Sequence, residues 1–168
     1  LKSIYTISKE KLGLESRVKL SQFYGIEGNH FACEVTKLGL WIAEYQTNLK
    51  FNEDTDFSYP LQQYANQDNI VNSNPTRIDW NAVCVNDNSE IYIVGNPPYK
   101  GARKQSPQQK SDVSFVFETY SNTKNLDYAS CWFYLACDYI KNSLAAFSLV
   151  STNSITQGEQ VGLLWPIL

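Results

Sequence analysis

Methionine is absent from this 168-residue sequence, histidine occurs once, and no apolar run approaches the ~18–20 residues that span a bilayer. Each gap excludes something. A chain opening on Leu1 with no Met shows no natural start codon, which predicts a fragment, a processed chain or one without its N-terminal residues. No basic start is followed by an apolar stretch, so no secretory signal opens the sequence. The lone histidine, His30, has no evident catalytic partner and is expected at a surface or a helix cap. Cys33, Cys84, Cys131 and Cys137 include no C-x-x-C pair, which argues against both a zinc site and a disulfide framework. Buried reduced thiols in a soluble, cytoplasmic protein are the expectation, with no membrane partner.

Positive charge is also short. Fourteen Lys and Arg stand against seventeen Asp and Glu, a net charge of −3. A free-standing nucleic-acid binder normally carries a basic footprint, and this chain has none overall. If it belongs to a protein that holds DNA, most of that grip must come from other segments. What is plentiful is apolar and aromatic: eleven Tyr, eight Phe and four Trp leave little room for disorder over most of the length.

The pattern alternates strands and helices. Phe23 to Ile26 is a short β-rich run ending at Glu27; Phe31, Val35, Leu38, Ile42 and Tyr45 then recur at helical spacing, capped by Asn29, and predict an amphipathic helix over His30–Gln46. Residues 47–68, with Pro60 and the acids Glu53, Asp54, Asp56 and Asp68, read as a connecting loop. Ile70-Val71 is a short strand, which Trp80 to Val85 extends or flanks as an edge. Ile91 to Val94 is a clear strand stopped by Gly95-Asn96-Pro97-Pro98. Lys100 to Lys110, basic and Gln-rich with Pro107, reads as a loop; Leu126 to Asn142 as a helix, with Trp132, Phe133, Tyr134 and Tyr139 as core; Leu144 to Val150 as a strand before the polar Ser151-Thr152-Asn153-Ser154.

This order predicts an α/β fold with a mostly parallel sheet and helices on both faces. Ligands in such sheets bind beyond the carboxyl ends of the strands. Those ends are Glu27, the region of Asn74, Asn96 to Tyr99, and Ser151 to Asn153, which are also the polar interruptions of the pattern.

Asn96-Pro97-Pro98-Tyr99 carries the chemistry. The exocyclic amine of a nucleobase is a poor nucleophile because its lone pair is delocalised into the ring. Two acceptors, the Asn96 side-chain carbonyl and the Pro97 main-chain carbonyl, can take both N–H bonds and draw the nitrogen toward tetrahedral geometry. The prolines, Pro98 included, keep those carbonyls out of helical bonding, and Tyr99 offers a face for a flipped base. The same residues also serve as an ordinary strand-ending turn. Glu27 can accept both hydroxyls of a ribose, or simply start a helix. Asn74 can reach a cofactor adenine, or turn the chain before Pro75; Asp79 nearby reads as structural. Lys100, Arg103 and Lys104 can meet DNA phosphates, or form a solvated loop.

Asn96-Pro97-Pro98-Tyr99 resembles the catalytic motif of amino-methyltransferases. Phe23-Tyr24-Gly25-Ile26-Glu27, with Phe31-Ala32 and Leu40-Trp41-Ile42-Ala43-Glu44, is similar to the second cofactor motif of one subgroup. Ser151-Thr152-Asn153-Ser154-Ile155-Thr156-Gln157-Gly158-Glu159-Gln160, ending in Leu164-Trp165-Pro166, is close to a stretch typical of that subgroup, the MmeI-like enzymes that fuse a DNA adenine methyltransferase to a restriction nuclease. The resemblance runs from about Gln22 to Leu168.

It implies a Rossmann-like core and methyl transfer from S-adenosylmethionine to adenine in double-stranded DNA. It gives Glu27, Gly25, Asn74 and Asn96 roles toward the cofactor, and Asn96, Pro97, Pro98 and Tyr99 roles toward the target base. Protein-glutamine or RNA amino-methyltransferases use nearly the same motif, and a non-catalytic scaffold is a further alternative. Gly28-Asn29-His30 and Asn74-Pro75-Thr76-Arg77 depart from the family pattern. Nothing in Leu1 to Ser21 resembles the glycine-rich first motif, so the central strand that carries it is expected to be missing. The gap would be closed by pairing of the strands ending at Glu27 and Asn96, by the segment Ile4 to Ile7, or by a partner chain such as a second copy. Target-recognition and nuclease segments are expected to lie outside the chain, leaving it inactive alone.

Overall fold

The computed structural model describes residues 19–51 and 69–168. It divides into two compact units, Leu1–Asn74 and Pro75–Leu168.

In the first unit, a 3-10 turn at Leu20–Gln22 leads to β1 (Gly25–Glu27), α1 (His30–Phe51) and β2 (Ile70–Asn72). The strands pair in parallel, Gly25 beside Ile70 and Glu27 beside Asn72. A parallel pair needs a crossover, and α1 supplies it. Its start is read correctly from sequence: Asn29 Oδ1 accepts the Ala32 N–H at 3.1 Å, and exposed His30 is the first helical residue. Gly25 sits where a Cβ would lie 3.1 Å from Ile70 Cδ1, so a side chain would crowd the strand pair.

Two expectations for this unit change. The helix runs to Phe51, five residues past the expected end; buried Thr47 lies in this extension and bonds back to Ala43 O at 2.6 Å. The rest of the expected connector, and the Ile4 to Ile7 segment, lie outside the described residues. The apolar stripe does not face the core either. Phe31, Val35, Leu38, Ile42 and Tyr45 are all exposed, Phe31 by 77%. The helix packs instead through residues such as Cys33, whose thiol points to Ile70 O at 3.5 Å.

The second unit runs α2 (Trp80–Val83), β3 (Tyr92–Gly95), α3 (Pro107–Val116), α4 (Ser130–Tyr139), β4 (Ala146–Leu149) and α5 (Glu159–Leu164), with 3-10 turns at Ala102–Lys104, Thr123–Asn125 and Asn153–Thr156. Strands β3 and β4 are parallel, in register from Tyr92 beside Ala146 to Gly95 beside Leu149. Among the described residues the strand pairs are therefore β1–β2 and β3–β4, and the expected pairing of the Glu27 strand with the Asn96 strand is not one of them.

Trp80 to Val85, expected as strand, opens instead as the short helix α2: Asp79 Oδ1 accepts the Asn81 N–H at 2.9 Å and caps it. Lys100 to Lys110, expected as loop, holds a 3-10 turn and the start of α3. Pro107 begins that helix rather than breaking it, because Ser106 and Gln109 form a reciprocal capping box.

The core gathers Val113, Val116, Phe117, Leu126, Tyr128, Cys131, Ile155 and Leu164, with Trp132, Phe133 and Tyr134 packed against it. Phe133 meets Phe147 of β4 edge-on at 6.2 Å. The opposite face of the β3–β4 pair is bare: Tyr92 and Val94 are 69% and 80% exposed.

All four cysteines are free thiols, and Cys33 and Cys131 are buried. Burial, reinforced by the Asp112 charge, pushes the Cys131 thiol from an ordinary value near 9 up to about 12. Burial likewise raises the Tyr128 phenol, helped by Asp112. A folded-state pKa raised for a group that is neutral below it means stability intact below the unfolded value and lost as pH climbs toward the folded one. Urea titrations should therefore show unfolding free energy falling between pH 9 and 12, with Cys131 contributing up to about 1.4 kcal/mol per pH unit. Cys131→Ala should flatten that slope; an unchanged slope would refute the assignment.

Candidate functional site

Parallel pairing carries β3 and β4 out at the same edge, and the main chain stays paired one step further, Val150 N–H donating to Gly95 O at 2.9 Å. Gly95 lets this happen: a Cβ there would lie 3.0 Å from Leu149 Cδ2. Asn96 to Tyr99 and Ser151 to Ser154 thus leave neighbouring strand ends, as expected for a ligand-binding edge. The turn Asn153–Thr156, Gly158 at φ 58°, and α5 then fold the second motif back, and Trp165 Nε1 closes it on Ile155 O at 2.9 Å.

Within the motif, the Tyr99 hydroxyl donates to Asn96 Oδ1, so the two residues assigned to the target base meet each other. Pro97 is buried, whereas Asn96, Pro98 and Tyr99 are exposed. A buried proline anchors the segment and leaves the side chains on either side of it facing outward.

Beside Tyr99 opens a cleft of about 600 Å³, lined among others by Lys100, Arg103, Asp127, Thr152, Ser154 and Glu159. Its acids are committed. Asp127 Oδ2 accepts from Ser154 Oγ at 2.8 Å, and Glu159 Oε1 accepts from Asn125 Nδ2 at 2.8 Å. Its cations are not: Lys100, Arg103 and Lys104 are exposed and form no ion pair among the described residues. Net charge misses this local asymmetry.

In the first unit, Glu27 ends β1 at the start of α1. Its main-chain carbonyl accepts from Ser73 N–H at 3.0 Å and Asn72 Nδ2 at 2.9 Å, and its Oε1 accepts the Asn29 N–H at 2.8 Å. The helix-starting role is thus real, and it occupies one carboxylate oxygen. Asn74, half-buried, follows β2 by two residues. No group of three or more His, Cys, Asp or Glu suited to a metal occurs among the described residues.

Sequence reasoning did not single out Asp127, Asn125 or Asp112. The turn residues Asn125 and Asp127 have no periodicity to mark them, and Asp112 falls on a helix of which only the start, to Lys110, lies in the expected loop; the signal for that helix was Ser106-Pro107-x-Gln109.

A strand-and-helix domain whose parallel strand ends in Asn-Pro-Pro-Tyr has the organisation of a methyltransferase domain, and comparison with known proteins bears this out. Residues 2–168 match the family model of the MmeI DNA-methyltransferase domain, and the chain belongs to that family. It is 46% identical over 150 residues to DNA methyltransferase A of Bacillus subtilis (strain 168), covering 88% of this chain and 17% of that protein. It superposes with a TM-score of 0.81, at 37% identity, on the solved structure of the type IIL restriction-modification enzyme MmeI in complex with DNA, covering 90% of this chain and 20% of that one. The chain thus spans about a fifth or less of the length of these relatives.

The Ser154–Asp127 bond is testable. Ser154→Ala should lower stability in urea titration by about 1–2 kcal/mol, since it leaves a half-buried carboxylate oxygen without its donor. A change below about 0.3 kcal/mol would mean that water replaces the hydroxyl.

Proposed function

We propose that this chain is the central part of an S-adenosylmethionine-dependent DNA adenine methyltransferase of a restriction-modification enzyme. The observation that carries the reading is the segment Asn96–Tyr99 at the carboxyl end of β3, in a member of the MmeI methyltransferase family. The Asn96 side-chain carbonyl and the Pro97 carbonyl would accept the two N–H bonds of the target amine and turn its lone pair outward. The Tyr99 hydroxyl would give up Asn96 as the base arrives, and its ring would stack on the base, worth about 1–3 kcal/mol.

Glu27 suits the cofactor ribose, because Oε2 has no hydrogen-bond partner among the described residues while Oε1 is fixed by the Asn29 N–H. Glu27 would hold the ribose hydroxyls and Asn74 the adenine; when bound, the cofactor supplies an electrophilic methyl carbon on a positively charged sulfur. Gly25 keeps β1 close to β2, and with it the position of Glu27. Lys100, Arg103 and Lys104 would meet DNA phosphates beside the cleft.

The bare apolar stripe of α1 and the bare face of β3–β4 favour work within a larger body, with the 168-residue chain inactive by itself. No described helix is long and apolar enough to cross a membrane; a cytoplasmic enzyme fits the proposal.

Residues 19–168 exchanged for the matching segment of the Bacillus subtilis relative should give a chimera that forms N6-methyladenine in duplex DNA, detected by mass spectrometry of nucleosides. Asn96→Ala in the chimera should cost about a hundredfold or more in rate, and Glu27→Ala should weaken calorimetric binding of S-adenosylhomocysteine. Methylated guanine, methylated glutamine, or an active Asn96→Ala chimera would overturn the reading.

Salt dependence checks the phosphate contacts separately. Replacing Lys100, Arg103 and Lys104 one at a time by Ala should each reduce the slope of log K against log salt by about 0.9. An unchanged slope would remove that residue from the DNA interface.

A further inference from the structure

Asp112 lies outside the cleft, on α3, and only 1% of it is exposed. A buried carboxylate is retained only if its oxygens are well supplied with donors, and this one is. Oδ1 accepts from Arg77 Nε at 2.8 Å and from Gln108 Nε2 at 3.1 Å, and Oδ2 accepts from the Tyr128 hydroxyl at 2.8 Å. Arg77 is itself held. Its guanidinium donates to Ser111 Oγ at 2.9 Å and lies 4.4 Å from the centre of the Phe115 ring.

The link to the site runs through Tyr128. Its side chain ends on Asp112, and its main-chain N–H donates to Lys100 O at 2.8 Å. Lys100 directly follows Tyr99. The same carbonyl takes a second, longer bond from Gln105 Nε2 at 3.4 Å, and Gln105 also reaches Leu126 O at 2.9 Å. The Lys100–Gly101 peptide, one residue beyond Tyr99, is therefore held from the core side by a residue whose own orientation is set by a buried charge. On the other side the segment is held by buried Pro97 and by the pairing of Gly95 with β4.

We infer that Asp112 is a positioning residue: through Tyr128 it fixes the Lys100 carbonyl and so the placement of Tyr99 against Asn96. Its importance rests on the reading of Asn96–Tyr99 as the target-base segment. Arg77 neutralises the charge and, with Thr76, ties the start of this unit to the same hub, since Thr76 is buried and hydrogen-bonded to the Tyr128 side chain. The Asn74-to-Arg77 stretch, singled out for Asn74 alone, thereby gains a second role carried by its last two residues.

The test needs neither cofactor nor DNA, so its result is separate from the methylation assays. The 168-residue chain is labelled with 3-fluorotyrosine, the Tyr99 fluorine line is assigned with Tyr99→Phe, and amide hydrogen exchange is followed at Tyr128. Asp112→Asn should shift or broaden the Tyr99 line and speed exchange at the Tyr128 amide by about tenfold or more. The lines of Tyr24 and Tyr45 should stay in place. Tyr128→Phe removes the phenol's bonds to Asp112 and Thr76, keeps the Arg77–Asp112 pair, and should move the same two signals; it decides the matter if Asp112→Asn does not fold. A folded variant that leaves Tyr99 and Tyr128 unchanged, or one that moves every tyrosine line alike, would overturn the inference.

Discussion

Parallel strands leave their carboxyl ends on one edge, and the register of β3 on β4 decides what stands there. Gly95 beside Leu149, with Val150 bonded back to Gly95, releases both chains at the same level. Fifty-odd residues separate the two polar motifs in sequence, and neither makes a cleft alone. Asn96–Tyr99 supplies acceptors and an aromatic face; Ser151–Ser154 supplies the Ser154 hydroxyl that occupies Asp127 and so turns the cleft's electrostatics toward its cations. A slip of β4 by one residue on β3 would put the half-buried Phe147 and Leu149 on the bare face and the exposed Ser148 toward α4. The apolar contact between Phe133 and Phe147 therefore helps hold the register on which the site depends.

Much of this was legible in the chain, for identifiable reasons. Strands β1, β2, β3 and β4 are short apolar runs ended by Glu, Asn, Gly or polar clusters, and each was found within two residues of its bounds at the carboxyl end, the end that matters for ligands. Asn96-Pro97-Pro98-Tyr99 and the Ser151–Gln160 stretch were visible because their chemistry is local. Failures came where a residue has two uses. Pro107 reads as a breaker until Ser106 and Gln109 are seen to cap the helix that it begins. Trp80 to Val83 is apolar enough for a strand, but Asp79 caps a helix turn, and Trp80 packs on Tyr139 while donating to Pro75 O.

The hub at Asp112 was not legible, because it draws on positions 77, 108, 128 and, through Tyr128, 76. No spacing rule links them. The α1 stripe is the reverse case. Its periodicity is real, yet Phe31, Val35, Leu38, Ile42 and Tyr45 are exposed, because periodicity reports that a face is apolar and not which surface covers it.

That distinction also bears on how charge should be read. A net charge of −3 argued against a nucleic-acid surface, and as a statement about the whole chain it stands. Recognition, however, depends on the field where the ligand sits. Around Tyr99, Asp127 and Glu159 are tied to Ser154 and Asn125, while Arg103 and Lys104 on a 3-10 turn, and Lys100 just before it, have no acid partners among the described residues. Buried Asp112 is neutralised by Arg77 and contributes little to the surface potential. The acids that set the average are thus partly spent inside the unit or on local bonds, and the cations that remain are grouped next to the residues assigned to the base. A modestly acidic chain can present a cationic edge at the one place where a phosphate would have to be met.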